Sequence, residues 1–197
     1  MPIRIRLSKL ALFAACLLPF AWLLADTLYD RLGADPVQQI THRSGDWTLR
    51  LLLATLAVTP LRRLTGYQPL IGYRRMLGLF AFFYACLHFV TYLVLDLGGF
   101  WSELGADIIK RPSITVGFLA WLSMLPLALT STRAMVRRLG RRWQTLHRLV
   151  YATGILAVLH YFWLVKADHR EPLLYAAILT VLLAARWRGR RRLSTVA

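Results

Sequence analysis

The chain has 197 residues, of which 57% are hydrophobic and 17% are charged, and its mean hydropathy is +0.50. This composition excludes an ordinary water-soluble domain and indicates an integral membrane protein. The formal net charge of +16 would suit a nucleic-acid-binding protein. The basic residues border apolar segments, however, where they act as topology signals and attract anionic lipid head groups, so nucleic-acid binding is disfavoured.

Six stretches are long and apolar enough to cross a bilayer, which requires roughly 17–25 apolar residues. They cover about residues 8–25, 47–64, 76–97, 113–130, 146–165 and 172–187. The sequence therefore predicts an all-α integral membrane protein, a single domain over residues 1–197 built as a bundle of about six transmembrane helices. No internal repeat is evident by inspection.

The first stretch follows Arg4, Arg6 and Lys9, as the apolar core of a signal peptide would. A cleavage site needs small residues after that core, and the sequence at residues 23–27 is instead Leu-Leu-Ala-Asp-Thr. We therefore expect this stretch to be retained as a helix.

The charged residues divide between the two ends of the predicted helices. With the N-terminus, residues 62–75, residues 131–148 and the C-terminal tail on one side, 18 of the 25 basic residues and none of the nine acidic residues fall there. Because Lys and Arg are enriched in cytoplasmic loops, this side is predicted to be cytoplasmic, and both termini with it.

Three histidines lie within or at the ends of the third and fifth stretches, His88, His147 and His160. An ionisable side chain at bilayer depth is costly and usually marks a functional site. His88 and His160 each lie about 18–21 Å from the cytoplasmic end of their helices, at 1.5 Å per residue. The two helices run in the same direction, so the two imidazoles are expected to face each other at one depth.

Small side chains precede each of these two histidines by three and seven residues. They are Ala85 and Ala81 before His88, and Ala157 and Thr153 before His160. Positions at these spacings share a helix face, so a porphyrin could lie against each strip. Two axial imidazoles suit a six-coordinate haem that transfers electrons. The alternative is that small residues only allow close helix packing while the histidines form interhelical hydrogen bonds.

The cytoplasmic ends of the same helices carry further candidates. His147 precedes His160 by thirteen residues, about 20 Å along a helix, and either belongs to a second, inner haem or is an interfacial or capping side chain. Arg74 and Arg75 either are ordinary positive-inside residues or bind a flavin phosphate or a quinone where electrons arrive.

Two segments lead to the histidines of the third and fifth stretches. Residues 72–78, GYRRMLG, precede His88, and residues 142–151, RWQTLHRLVY, precede His160. Together they resemble the MsrQ family, also called YedZ, of the ferric-reductase-like transmembrane superfamily. The resemblance extends over nearly the whole chain. It implies haem-associated histidines at His88, His147 and His160, and paired arginines at the cytoplasmic entrance, Arg74 and Arg75.

The resemblance also implies cofactors and partners. It implies haem b, with FMN as a further cofactor, in the bacterial inner membrane. It implies electron transfer to a periplasmic molybdopterin enzyme, MsrP, which reduces methionine sulfoxide in oxidised proteins. The sequence shows no dehydrogenase domain for flavin and nicotinamide, so we expect the electrons to come from membrane quinol or a cytoplasmic flavin reductase. The superfamily usually has two histidines on each of two helices, whereas this chain has one on the third and two on the fifth.

Two other functional classes are compatible with the same residues. A self-contained ferric or quinone cytochrome reductase would use the same haem ligands without a protein acceptor. A transporter or proton channel would use the histidines as relays and would be colourless, and the predicted spans contain no paired acidic residues to support it.

Overall fold

The computed structural model describes residues 3–194, with side chains for all of these except residue 4 and residues 188–194. The basic run at residues 188–192 therefore lies outside the described side chains. The helices are α1 (Ile3–Leu28), α2 (Pro36–Thr65), α3 (Arg74–Thr91), α4 (Glu103–Lys110), α5 (Pro112–Leu129), α6 (Arg133–Leu139), α7 (Arg141–Leu146), α8 (Leu149–Leu164) and α9 (Arg170–Ser194). A 3₁₀ segment, Gln68–Gly72, precedes α3, and a π-helical segment, Tyr92–Asp96, follows it. Throughout residues 3–194 all regular structure is helical, which confirms the predicted all-α class.

Three segments are long and apolar enough to cross a membrane by length and composition. They are Ile5–Leu28, Gln68–Asp96 and Pro112–Leu129. Of the other long helices, α8 has only 16 residues, and α2 and α9 contain several charged residues. Hydropathy alone thus identifies half of the six predicted spans among the described helices.

Helix α2 begins eleven residues before the second predicted span. Its N-terminus is defined by Asp35, whose carboxylate accepts a hydrogen bond from the main-chain N–H of Gln38 at 2.9 Å, and by Pro36 in the first turn. The first three turns are polar, with residues such as Gln39 and Arg43, so an apolar stretch becomes visible only near Trp47.

The core is formed by two helix pairs. Helix α2 packs mainly on α3, and α5 packs mainly on α8; contacts of α3 with α5 and of α2 with α8 join the pairs into a four-helix unit. Its buried side chains include Leu52, Leu56, Ala81, Tyr84 and Met124. Helix α1 packs against α2 and α3, and α9 against α2 and α8.

Tyr84 on α3 attaches α1 to this unit. Its hydroxyl accepts the N–H of Phe20 at 2.9 Å and donates to the carbonyl of Cys16 at 2.8 Å. In an uninterrupted helix these two main-chain groups would bond to each other, but Pro19 lies beside them and opens the helix. The phenol therefore closes a break in the hydrogen bonding of α1, and only 1% of Tyr84 is exposed.

Arg186 on α9 has the corresponding role at α2. Pro60 has no N–H, so the carbonyl of Leu56, four residues earlier, lacks its helical partner. Arg186 donates to that carbonyl from Nε at 3.0 Å and from Nη2 at 2.7 Å, and donates from Nη1 to the hydroxyl of Tyr151 at 3.0 Å. A nearly buried guanidinium, 7% exposed, thus holds α9 against α2 and α8.

Candidate functional site

A cavity of about 800 Å³ lies between α2, α3, α5 and α8. This volume is typical of sites that bind small molecules or cofactors, which range over about 300–1,000 Å³. His88 from α3 and His160 from α8 both line it. The structure therefore brings together the two histidines that were predicted to lie at one depth.

The two imidazoles face each other across this cavity. Their ring centroids are 6.2 Å apart and their planes are inclined at 76°. Imidazole nitrogens bind metal ions at about 2 Å, so a metal between two imidazoles separates their centroids by about 6 Å. The pair has the spacing that a haem iron with two axial imidazoles requires.

Hydrogen bonds fix which nitrogen of each ring faces the cavity. Nδ1 of His88 lies 2.9 Å from the carbonyl oxygen of Thr41, and Nδ1 of His160 lies 2.7 Å from that of Ser113. A carbonyl can only accept, so each Nδ1 must donate its proton, and Nε2 keeps its lone pair for a metal.

The other ligands of a metal held here would have to come from a macrocycle. Among the side chains that the structure describes, no three His, Cys, Asp or Glu residues come together as a metal site. A pair of imidazoles at this spacing, without further ligands, fits a porphyrin better than a tetrahedral zinc site, which needs four ligands.

Unpaired polar atoms of two cavity residues support binding of a polar ligand. The indole N–H of Trp121 and the hydroxyl of Thr41 are buried without a hydrogen-bond partner in the described part of the chain. Trp121 also stacks on Phe89 with ring centroids 4.4 Å apart. An unsatisfied buried donor is costly, so a ligand with hydrogen-bond acceptors would stabilise this wall.

The small residues predicted to flank the ligand divide into two groups. Ala85, Thr153 and Ala157 line the cavity. Ala81 is completely buried in the packed core. Thr153 also bonds to the hydroxyl of Ser123 at 2.7 Å, so this part of the strip serves helix packing as well.

The end of the cavity near α4 has a polar rim. Asp107 accepts hydrogen bonds from the guanidinium of Arg111 and from the hydroxyl of Tyr92, and the latter two residues line the cavity. The hydrogen bond from Arg111 is the main reason that the pKa of Asp107 lies below its usual range. Asp107 is therefore ionised at neutral pH and anchors α4 beside the opening.

The predicted inner residues lie elsewhere, at the ends of α3 and α8. His147 precedes α8 instead of lying within it, and its ring stacks on Trp143 with centroids 3.8 Å apart. Its Nε2 is buried and has no hydrogen-bond partner in the part of the chain described. Arg74 is half-buried and interacts electrostatically with His147, Arg186 and Tyr151, whereas Arg75 is exposed.

The two histidine-bearing helix pairs share one spacing, although no internal repeat was expected from the sequence. Thr41 and His88 are 47 residues apart, and so are Ser113 and His160. One helix pair therefore matches the other at an offset of 72 residues. Thr41 and Ser113 were missed from the sequence, because every residue has a carbonyl that can accept a hydrogen bond and only this shared spacing distinguishes these two. Trp121 was also missed, because a tryptophan in an apolar stretch gives no sign of an unpaired N–H.

Comparisons with known proteins agree with the architecture. A profile of the family described as ferric reductase like transmembrane component matches residues 44–158. The chain is 57% identical over 193 residues to the protein-methionine-sulfoxide reductase heme-binding subunit MsrQ of Xanthomonas campestris pv. campestris (strain 8004), covering 95% of this chain and 88% of that protein. It is 52% identical over 196 residues to the protein of the same name from Herminiimonas arsenicoxydans, covering 97% and 90%. No solved structure matches the chain.

Proposed function

The chain belongs to the MsrQ family of ferric-reductase-like transmembrane components, and on this premise we propose that it is the haem b subunit that carries electrons to a periplasmic methionine sulfoxide reductase. The acceptor is an MsrP-type molybdopterin enzyme, which performs the reduction of methionine sulfoxide. The chain thereby supports the repair of oxidised periplasmic proteins.

One observation carries this proposal. His88 and His160 face each other at 6.2 Å across a cavity, and each Nδ1 is held by a main-chain carbonyl. Haem, when bound, supplies an iron that gains and loses one electron. His88 and His160 would both bind this iron, so the site favours electron transfer over binding of a substrate to the metal.

The surrounding residues orient the cofactor and keep water away from it. The carbonyls of Thr41 and Ser113 hold the rings in one orientation and increase the basicity of Nε2. Ala85 and Ala157 leave room for a flat ligand. Phe89 and Trp121 form an apolar wall, and the Trp121 N–H offers a donor to a carboxylate or another acceptor.

Electrons enter at the cytoplasmic ends of α3 and α8 in this proposal. Arg74 and Arg75 bind an anionic flavin phosphate, as in FMN, or polarise a quinone, and the donor is the quinol pool or a cytoplasmic flavin reductase. The buried, unpaired Nε2 of His147 supports a ligand at this end. We assign His147 to this inner site and not to the pair that binds the iron.

The proposed topology places six helices across the bacterial inner membrane in one domain, with both termini cytoplasmic. The spans are α1, α2, α3, α5, α8 and α9, and the charge distribution supports their orientation. Residues 96–107, with the exposed Trp101, then lie on the periplasmic side and are available to the partner.

The test is the visible spectrum of the purified full-length chain, with haem quantified as its pyridine haemochrome. We expect a low-spin b-type spectrum that is lost in His88→Ala and in His160→Ala. His169→Ala, which removes a histidine stacked on Phe162 outside the cavity, is the control and should keep the spectrum. A parent chain without haem, although produced with ample haem, would contradict the proposed function.

A further inference from the structure

The two helix pairs present their histidines by the same local arrangement. In each pair the first helix carries the accepting carbonyl, at Thr41 on α2 and at Ser113 on α5. Four residues later each of these helices has a glycine, Gly45 and Gly117. The glycine is therefore one helical turn from the carbonyl, on the same face.

Both glycines lie against the imidazole of the opposite helix. A Cβ at Gly45 would be 3.3 Å from Cε1 and from Nδ1 of His88. A Cβ at Gly117 would be 2.7 Å from the same two atoms of His160, closer than side-chain carbons approach other atoms. The rings thus occupy the space that any other residue would fill with its own side chain.

Backbone conformation does not explain the two glycines. The glycines with positive φ in the described chain are Gly33, Gly66, Gly98, Gly99 and Gly140, in turns and at helix ends. Gly45 and Gly117 have ordinary helical conformations, in which glycine is less favourable than alanine. Glycine therefore lowers the stability of the helix at both positions. Because each of the two glycines lies beside a histidine, we infer that the ring needs the space that a side chain would fill.

We propose that Gly45 and Gly117 are positioning residues: because they carry no side chain, each lets the imidazole of the opposite helix reach a main-chain carbonyl, an inference that rests on the proposed haem ligation. The Nδ1–H bond orients the ring and makes Nε2 a stronger electron donor to the iron, which favours the ferric state. Neither glycine touches the iron in this arrangement.

The distances from a Cβ to the imidazole, 3.3 Å at Gly45 and 2.7 Å at Gly117, predict different effects for the two alanine variants. At Gly45 a shift of a few tenths of an ångström accommodates the methyl group, and Ser44 Oγ, 3.4 Å from His88 Nδ1, remains nearby. At Gly117 the ring must move away and lose its bond to Ser113. Because partners of metal-binding histidines typically contribute 10–100-fold to affinity, we expect haem to bind at least about tenfold more weakly in Gly117→Ala and less weakly in Gly45→Ala.

The experiment compares these variants with two matched glycine variants of the purified full-length chain. Gly78→Ala is on α3, the helix of His88, and its Cβ would meet Thr55 at an ordinary 3.7 Å. Gly154→Ala is on α8, the helix of His160, and its Cβ would press on Leu179 at 3.2 Å without touching a histidine. The readouts are haem transfer to apomyoglobin, the electron paramagnetic resonance spectrum of the ferric haem and its midpoint potential.

We expect faster haem transfer, altered g-values and a more positive midpoint potential in Gly117→Ala, a smaller change in the same direction in Gly45→Ala, and parental values in both controls. Parental g-values and potential in Gly45→Ala and Gly117→Ala would overturn the inference. If Gly117→Ala accumulates too poorly to purify, the g-values and the midpoint potential of Gly45→Ala are used alone, and parental values in that variant would overturn the inference. A parent chain without a low-spin haem signal would contradict the proposed function itself, whereas a normal parent with unshifted glycine variants contradicts only the role of the glycines.

Discussion

His147 and His160 are only thirteen residues apart, yet they have different surroundings. His160 lies in the middle of α8 with Nδ1 bound to a main-chain carbonyl and its ring in the cavity. His147 lies at the turn between α7 and α8, stacked on Trp143. The chain interrupts the helix at residues 147–148, so the two histidines do not lie on one continuous helix.

This difference predicts separate roles in the variant His147→Ala. We expect it to keep the haem content of the parent, because the proposed ligands His88 and His160 are intact. Reduction of the haem by a quinol or by reduced flavin should slow by up to about tenfold, because loss of one hydrogen bond to a bound ligand costs about 0.5–1.5 kcal/mol. Dithionite, which needs no binding site, should still reduce the haem completely.

Arg142→Ala is the matched control, since Arg142 is exposed on α7 near the same surface. We expect this variant to keep the haem content of the parent and the parental rate of haem reduction by quinol. A loss of haem in His147→Ala would make His147 an iron ligand, and an unchanged rate of reduction would remove it from the inner site.

At the residue scale the sequence was sufficient where a side chain itself carries the chemistry. His88 and His160 were identified because a titratable ring in an apolar stretch is rare, and equal depth followed from counting residues. The carbonyls of Thr41 and Ser113 could not be identified in this way, because every residue has a carbonyl. Arg186 was grouped with the basic C-terminal tail, since its partner Leu56 is 130 residues away in sequence.

At the scale of the elements, proline accounts for two of the contacts that join helices. Pro19 and Pro60 each lie inside a long helix, and in each case a polar side chain from another helix bonds to a main-chain group beside the break. In an apolar environment a free carbonyl cannot bond to water, so it must be satisfied by the protein. These contacts attach the outer helices α1 and α9 to the four-helix core.

The role of Arg186 predicts a coupling with Pro60. Arg186→Met keeps much of the side-chain volume but leaves the Leu56 carbonyl unpaired, which should cost about 1–3 kcal/mol of stability. In the Pro60→Ala background residue 60 again has an N–H for that carbonyl, so the same change should cost less than half as much. The measurement is thermal unfolding of the four proteins of this cycle in detergent.

Arg148→Met serves as the control for loss of one positive charge, because Arg148 is exposed near the same end of α8. It should leave the unfolding temperature nearly unchanged. Equal costs of Arg186→Met in the two backgrounds would contradict the assigned role of the proline.

Element boundaries show where hydropathy stops being informative. The apolar helices α1 and α5, and α3 together with the π-helical segment that follows it, were placed within a few residues, apart from the early start of α1 at Ile3. The polar first turns of α2 and the short helices α4, α6 and α7 were missed, because amphipathic or basic segments at the ends of a bundle have no continuous apolar run. Such segments are defined by caps, as at Asp35 and Thr132, and by tertiary contacts.

At the scale of the whole molecule, the matched helix pairs constrain how the chain crosses the membrane. His88 and His160 meet across one cavity, and each imidazole bonds to a carbonyl near the N-terminus of the helix that its own helix packs against, Thr41 on α2 and Ser113 on α5. This shared arrangement supports the proposal that α3 and α8 run in the same direction. The distribution of positive charges supports the proposal that this side is cytoplasmic. The proposed order of six spans follows from these two constraints together.

This topology predicts which positions a membrane-impermeant thiol reagent reaches from the periplasm. With Cys16 and Cys86 first replaced by serine, single cysteines are introduced at exposed positions between the proposed spans. The chosen changes are Ala34→Cys, Gln68→Cys, Ser102→Cys, Arg142→Cys and Asp168→Cys. In spheroplasts we expect labelling after Ala34→Cys, Ser102→Cys and Asp168→Cys, and labelling of the other two only after lysis. The reversed pattern would contradict the orientation, and any two neighbouring positions with the same accessibility would remove the span between them.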